Sequence, residues 1–247
     1  TTTTLGGDLK PQKATNFNIG IVLTDDDTFT VSADYWNYDY EDLIGPGQSA
    51  ASILADECSG GVYKPDPRVT RDATGQATSI VNAFTNLGGV VADGFDITAN
   101  YGFGEVMGGD LMFNTSITLI TTYDIDSGDG SPTFDGANNR NSSFGQLGSV
   151  PDTRFNAGLD WRSDKHSLSL YARHIGGYDD RTPNNDYDPV DSFTVFDTSY
   201  SYEMSGVIGK GTTNLSIGVN NITDEEPPAT ASWSEENNTP TSAQASA

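Results

Sequence analysis

Residues Asp93–Leu119 read DGFDITANYGFGEVMGGDLMFNTSITL. Phe95, Ile97, Ala99, Tyr101 and Phe103 alternate with Asp96, Thr98, Asn100 and Gly102, a period of two that belongs to a strand with one apolar and one polar face. The segment EVMGGD (105–110) then turns the chain, and Leu111, Phe113, Ile117 and Leu119 follow on the return. The stretch is therefore one long hairpin.

The same pattern recurs on both sides of it. Upstream, Phe17, Ile19, Ile21 and Leu23 share a face opposite Asn16, Asn18 and Gly20; TDDDT (24–28) reverses the chain, and Phe29, Val31, Ala33 and Tyr35 alternate with Thr30, Ser32 and Asp34. Downstream, Phe155, Ala157, Leu159 and Trp161 lead through RSDKH (162–166) to Leu168, Leu170 and Ala172. A fourth pair runs from about Ser192 to Met204 and from about Thr213 to Ile222, joined by SGVIGKG (205–211). The count is about eight strands in four hairpins.

The connections inside hairpins are short, whereas those between them are long: Leu43–Ala77, Asp124–Pro151 and Asp179–Asp191. Short turns at one end and long loops at the other are the pattern of an outer-membrane β-barrel. A soluble β-sandwich also alternates. Strand length favours the barrel, because these runs commonly reach ten residues, against about five or six in soluble proteins. So does the polar face, where Asp96, Asn100, Asn156, Asp160 and Arg173 suit a hydrated lumen.

Composition sets the outer limits. The 247 residues hold 27 Gly, 10% aromatics and 35% hydrophobic residues, which fits a turn-rich strand protein. With 35 acidic against 12 basic side chains the net charge is -23, the wrong sign for a nucleic-acid partner. Cys58 is the sole cysteine, and His166 and His174 are the two histidines, so neither a disulfide, a thiolate cluster nor a histidine-based metal site is expected. The N-terminal segment has neither a basic region nor an apolar core of the secretory kind, and no run of about 18 apolar residues offers a spanning helix. Strands that cross a membrane are not subject to that test.

Five blocks carry a resemblance. LKPQKATNFNIG (9–20), FTVSADYWNYDYEDLI (29–44), DGFDITANY (93–101), VPDTRFNAGLDW (150–161) and GVNNITDEEPP (218–228) resemble, in order and spacing, the C-terminal part of a TonB-dependent outer-membrane receptor barrel. The resemblance covers nearly all of residues 9–228. It implies the bacterial outer membrane, a barrel of about 22 strands, and an N-terminal plug domain through which the TonB complex drives import. The cargoes it implies are scarce nutrients such as ferric siderophores, vitamin B12 or oligosaccharides. Plug, TonB box and closing aromatic strand are not in this sequence, so the chain reads as an internal piece: 1–228 partial barrel, 229–247 a polar tail that is disordered or begins an external loop. The family often places a disulfide after the DYWNYDYEDLI block, where Cys58 stands alone.

Few residues invite chemistry. DIDSGDG (124–130) has the alternating carboxylates of a calcium loop, but its glycine and downstream acid are misplaced for an EF-hand, and a solvated acidic loop is the weightier reading. YDDRTPNNDYD (178–188) mixes acids, aromatics and Arg181 at a strand exit, where a ligand contact competes with a hydrated loop. Arg173 on the polar face could meet an anionic siderophore, or pair with Asp160 on the adjacent strand. His174 falls on the outer face near the rim. Tyr35 shares the apolar face with Val31 and suits an aromatic girdle, whereas Trp36 and Tyr38 lie opposite. The candidate ligand-binding residues are Arg173, Tyr178, Asp180 and Arg181; no catalytic residue, metal site or cofactor is expected.

The sequence thus predicts an all-β antiparallel transmembrane barrel segment that contributes to TonB-dependent uptake of a small-molecule or metal-chelate cargo. The expected partners are outer-membrane lipid, the cargo, and the TonB complex by way of the plug. Two alternatives stay open: a soluble acidic exterior β-sandwich or adhesin-like module, and a passive porin. In the sandwich the face with Phe17, Ile19, Ile21, Phe95, Ile97, Leu111, Phe113, Leu168 and Leu170 would be buried between sheets; in the barrel it would meet lipid.

Overall fold

The computed structural model describes residues 2–4, 9–25, 28–47, 50–128, 132–140, 149–181, 187–206 and 211–228. In chain order its elements are β1 (Thr2–Thr4), β2 (Lys13–Asp25), β3 (Phe29–Glu41), β4 (Ile44–Pro46), α1 (Ala50–Asp56), a 3-10 turn (Ser59–Gly61), β5 (Val69–Arg71), β6 (Ala77–Asn86), β7 (Gly89–Val106) and β8 (Gly109–Asp126). Then follow β9 (Phe134–Asp135), β10 (Asn139–Arg140), β11 (Ser149–Val150), β12 (Thr153–Arg162), β13 (His166–Ile175), β14 (Tyr178–Arg181), β15 (Tyr187–Val190), β16 (Phe193–Ser205) and β17 (Thr212–Val219). The polar tail 229–247 lies outside the described residues.

Eight long strands make one up-and-down antiparallel sheet, β2-β3-β7-β8-β12-β13-β16-β17, with the short β9 added to β8. All four hairpins read from the alternation are present, in registers that keep like faces together: Ile21 opposite Ala33, Ile97 opposite Ile117, Leu159 opposite Leu170, Tyr200 opposite Ile217. A single rung, Phe29–Tyr101–Phe113–Leu159–Leu170–Thr198–Val219, crosses seven strands on the apolar face. That face is open: Ile19 is 61% exposed, Ile21 59%, Leu170 45% and Ile217 68%. Among the described residues no second sheet covers it, as a sandwich would have it. The sheet is not closed, and β2 and β17 are its edges.

The β7–β8 turn is the tightest connection. Met107 (φ 53°) and Gly108 (φ 75°) occupy the two central positions in left-handed backbone, the geometry that matches the twist of the flanking strands. Gly108→Ala is therefore expected to cost the barrel about 1 kcal/mol, whereas Met107→Asn should stabilise it, since Asn accepts this conformation more readily than Met. Urea midpoints of the assembled protein at unchanged slope would check both signs.

The connections at the opposite end are not bare loops. Between β3 and β7, β4 and β6 form a small sheet with β5 attached to β6, and the N-terminal β1 joins it in parallel beside β6. Beyond β8, β11, β10, β14 and β15 form another, in which Asn139 of β10 pairs in parallel with Asp179 of β14. The connection after β8 is thereby stitched to the one after β13. Their apolar side chains are drawn inward: Ile175 pairs with Phe193 and Tyr178 with Val190, and all four are buried.

The last strand ends earlier than its alternation suggests. β17 stops at Val219, not near Ile222. Asn221 (φ 51°) then closes a compact turn, its Oδ1 accepting the Glu225 N–H at 3.0 Å and its Nδ2 donating to the Glu225 carbonyl at 3.0 Å. Its own N–H donates to Asp197 Oδ1 at 2.8 Å, which ties the start of the turn to β16, while Asp224, Glu225 and Glu226 stay exposed.

Candidate ligand-facing site

The polar face of the sheet is held by side-chain hydrogen bonds between neighbouring strands. Ser32 and Thr98 meet at 2.7 Å, and Thr118 donates to Asp96 at 2.6 Å. Asp160 accepts from Asn114 Nδ2 (3.0 Å), Ser169 Oγ (2.5 Å) and Tyr171 OH (3.2 Å), which joins β8, β12 and β13 through one carboxylate. Nearer the long loops the same face turns aromatic. Trp36 and Tyr38 have ring centroids 5.9 Å apart, and Tyr38 stacks on Tyr40 at 6.2 Å. Such a face can offer hydrogen bonds, charge and flat rings to a solute at the loop end.

Arg173 lies on this face as expected, but its partner is Asp197 and not Asp160. Nη2 stands 3.0 Å from Asp197 Oδ2, across the β13–β16 ladder where Arg173 pairs with Val195. Asp160 is instead saturated by its three neutral donors. Asp197 so serves two elements, neutralising Arg173 and anchoring the Asn221 turn. Asp197 keeps parity with Phe193 and Val195, opposite Phe196 and Tyr200, so alternation puts it on the face of Arg173 and register brings the two together.

The other expected contacts cluster on β14. Tyr178 is 4% exposed and Asp180 0%, so both are built into the loop sheet and neither is displayed on it. Arg181 ends that strand opposite Tyr187; its side chain lies outside the described residues, as do residues 182–186. His174 stacks on Phe155 (centroids 4.7 Å apart) and bonds Thr194 Oγ1 through Nδ1 at 2.7 Å, on the apolar face. In DIDSGDG the first three residues belong to β8, Asp126 Oδ1 accepts the Gly128 N–H at 2.8 Å, and Asp129 and Gly130 lie outside the described residues. Among the described residues no group of three His, Cys, Asp or Glu side chains could hold a metal ion.

The connection between β3 and β7 has a buried ion pair of its own. Glu57 is buried, pairs with Arg71 and accepts the Asp66 N–H at 2.9 Å. Arg71 lies over the Tyr63 ring, 5.9 Å from its centroid. Arg68 holds Asp66 through hydrogen bonds at 2.9 and 2.6 Å, which lower the Asp66 pKa to about 2. Because the folded value lies below the ordinary carboxylate value of 3.8, this contribution is complete at neutral pH and is lost as pH falls from 3.8 through about 2. Protease protection of residues 66–72 is expected to survive pH 4 in the wild type and to fail at a higher pH in Arg68→Ala. Limited proteolysis with an acid-active protease reads this directly.

The apolar face carries aromatic rings at a regular interval. Tyr35 and Phe29 on β3, Phe95 and Tyr101 on β7, Phe155 and Trp161 on β12, and Phe196 and Tyr202 on β16 each stand six residues apart. Small or aliphatic side chains such as Ala33, Ile97, Ala99 and Ala157 fill the interval. Two rows of rings about 20 Å apart along the strands bracket an aliphatic band, as at the two interfaces of a membrane barrel.

The family model for the TonB dependent receptor-like β-barrel matches residues 1–222. The chain belongs to the TonB-dependent receptor family. A comparison with curated protein sequences found no match. Solved structures of similar fold include the FrpB iron transporter of Neisseria meningitidis, F3-3 variant (16% identity, TM-score 0.61, covering 94% of this chain and 30% of that one). The siderophore receptor PirA of Acinetobacter baumannii is similar at 18% identity and TM-score 0.59, covering 92% and 32%. A mutant of the ferric enterobactin receptor PfeA of Pseudomonas aeruginosa follows at 18% identity and TM-score 0.58, covering 87% and 26%. This TonB-dependent receptor chain thus spans under a third of the length of those structures. The family consists of receptors and transporters, not enzymes.

Proposed function

We propose that this chain is part of an outer-membrane receptor that imports a small-molecule or metal-chelate nutrient, a ferric siderophore or a cargo of that kind, with energy supplied by the TonB complex through a plug domain. The observation that carries the reading is the division of one sheet into an exposed apolar face bracketed by aromatic rows and a hydrogen-bonded polar face that ends under structured loops. In this reading the apolar face meets lipid, the polar face lines the lumen, and cargo is captured at the loop end. The aromatic run Trp36–Tyr38–Tyr40, the Arg173–Asp197 pair and the β14–β15 hairpin with Tyr178, Asp180 and Arg181 border that capture zone. Buried Tyr178 and Asp180 support the hairpin, and cargo touches what the hairpin presents. The iron and siderophore receptors of similar fold support this choice of cargo class.

The test is a strain lacking the whole protein that carries this chain, grown with iron supplied only as defined ferric chelates. The expected result is loss of growth or of radiolabelled iron uptake on at least one chelate, restored by the gene and abolished when TonB is removed. Uptake that persists without TonB would favour the passive porin. Recovery of the protein in the soluble exterior fraction would overturn the membrane reading altogether.

A further inference from the structure

We infer that the apolar face holds a discrete lipid site at its tight-turn end, a groove that takes one acyl chain of a glycerophospholipid. This rests on the reading of that face as lipid-exposed and adds a particular position to it. The groove is a cavity of about 450 Å³. Its floor is Leu111, Leu159, Leu168 and Leu170, brought side by side by the β8–β12–β13 registers, in which Leu111 faces Trp161, and Leu159 faces Leu170. Val106 and Met107 of the β7–β8 turn form one wall.

Trp161 explains why a hollow exists on a face where side chains otherwise stand in even rows. Its indole Nε1 donates to the Val106 carbonyl at 2.7 Å, and its ring lies against Gly109, where an added Cβ would come within 2.7 Å of it. The ring is thus drawn toward the turn, and the space above Leu159, Leu168 and Leu170 is left unfilled. The tether also satisfies the only polar atom of the indole, so that atom has no need of water.

The occupant follows from the surroundings. Leu168 and Leu170 are 41% and 45% exposed, Leu170 inside the aliphatic band and Leu168 level with Trp161 at its turn-side border, so the groove opens onto whatever covers that end of the band. In a bilayer this is hydrocarbon. Water would gain no hydrogen bonds from leucine walls, and an empty groove would forfeit dispersion contacts on every side, whereas an acyl chain restores them. A flexible chain pays less to follow such a curved hollow than a rigid ring does. The tight turns sit at the end opposite the long loops, which assigns the site to the leaflet on the periplasmic side, where glycerophospholipid is available.

The test is native mass spectrometry of the whole protein carrying this chain, released from mixed micelles of mild detergent and palmitoyl-oleoyl phosphatidylethanolamine. The wild type is expected to retain one phosphatidylethanolamine under detergent conditions that strip the remainder. Leu170→Trp fills the groove and should weaken retention about tenfold. Leu168→Phe, at the groove mouth, is a second variant should the first not assemble. Phe95→Trp, elsewhere on the same face, should retain the lipid as the wild type does. Equal retention in the groove variants, loss in Phe95→Trp as well, or no retained lipid in the wild type would each overturn the site. If the wild type forms no heat-modifiable barrel in the outer-membrane fraction, the membrane reading fails and takes the site with it; an assembled barrel with unchanged retention sinks the site alone.

Discussion

Ile97→Arg, introduced into the whole protein, is expected to abolish assembly of the barrel, whereas Asn100→Arg three residues on should be tolerated. Ile97 lies inside the apolar band, opposite Ala33 on β3 and Ile117 on β8, between the rows marked by Phe95 and Tyr101. An arginine facing hydrocarbon at that depth costs about 2–4 kcal/mol, a large share of the net stability of a folded protein. Asn100 points to the other face, between Thr30 and Asn114. There a guanidinium finds water and acceptors. The fraction of heat-modifiable protein in outer-membrane extracts gives the comparison. Equal tolerance of both changes would mean that the apolar face does not meet lipid.

Gly94→Val should be the most damaging change that leaves charge untouched. Residues Asp93 and Gly94 straddle an irregularity in the β7–β8 register, where Asp93 pairs with Thr122 but Gly94 pairs with Ile120. The extra residue, Thr121, donates to Asp93 through its hydroxyl. A Cβ on Gly94 would lie 2.2 Å from the Leu119 carbonyl oxygen and 2.6 Å from the Trp36 ring. The ring could shift, but the carbonyl is fixed in the ladder. Strain of this kind costs on the order of 3 kcal/mol or more, at the upper end of what overpacking exacts. Gly102 is the control: a Cβ there meets nothing nearer than the Thr28 carbonyl at 3.7 Å, so Gly102→Ser is expected to be close to neutral. Urea midpoints of the three proteins would decide, and a Gly94→Val barrel as stable as the wild type would show that the bulge can relax.

The tests placed with the structure probe smaller effects. The left-handed pair Met107–Gly108 reports on one turn, and the Asp66–Arg68 pair reports on one loop in acid. They are independent of cargo.

The eight strands and their pairing were legible in the alternation because each apolar residue is two positions from the next and each turn is short. Alternation alone places Ile97 and Phe113 on a shared face. The candidate site was legible only in part. Alternation puts Arg173 on the polar face, but the partner it suggests, Asp160, is not the one the structure gives, Asp197. Asp160 and Asp197 are both acids of suitable parity on adjacent strands, and register alone chooses between them. The closing turn is hidden from the sequence for a related reason. Asn221 falls inside the stretch read as the last strand, yet its side chain reaches Glu225 and its N–H reaches Asp197, and these bonds outweigh one more rung of ladder.

Alternation in this chain specifies which residues share a face, since a strand offers its side chains two directions and no more. The sequence therefore sufficed for the meander, for the division into apolar and polar faces, and for the contrast between short turns and long connections. It could not specify what covers either face. Ile175, Phe193 and Val195 are as apolar as Leu168 and Leu170 but lie on the polar side, buried at the loop end, while the leucines remain exposed. That difference arises from contacts between segments far apart in the chain: β10 of one connection pairs with β14 of another. It arises also from Trp161, drawn across to the Val106 carbonyl, 55 residues before it in the chain. Local periodicity cannot encode either contact, because both depend on which distant backbone groups the completed sheet brings within hydrogen-bonding distance.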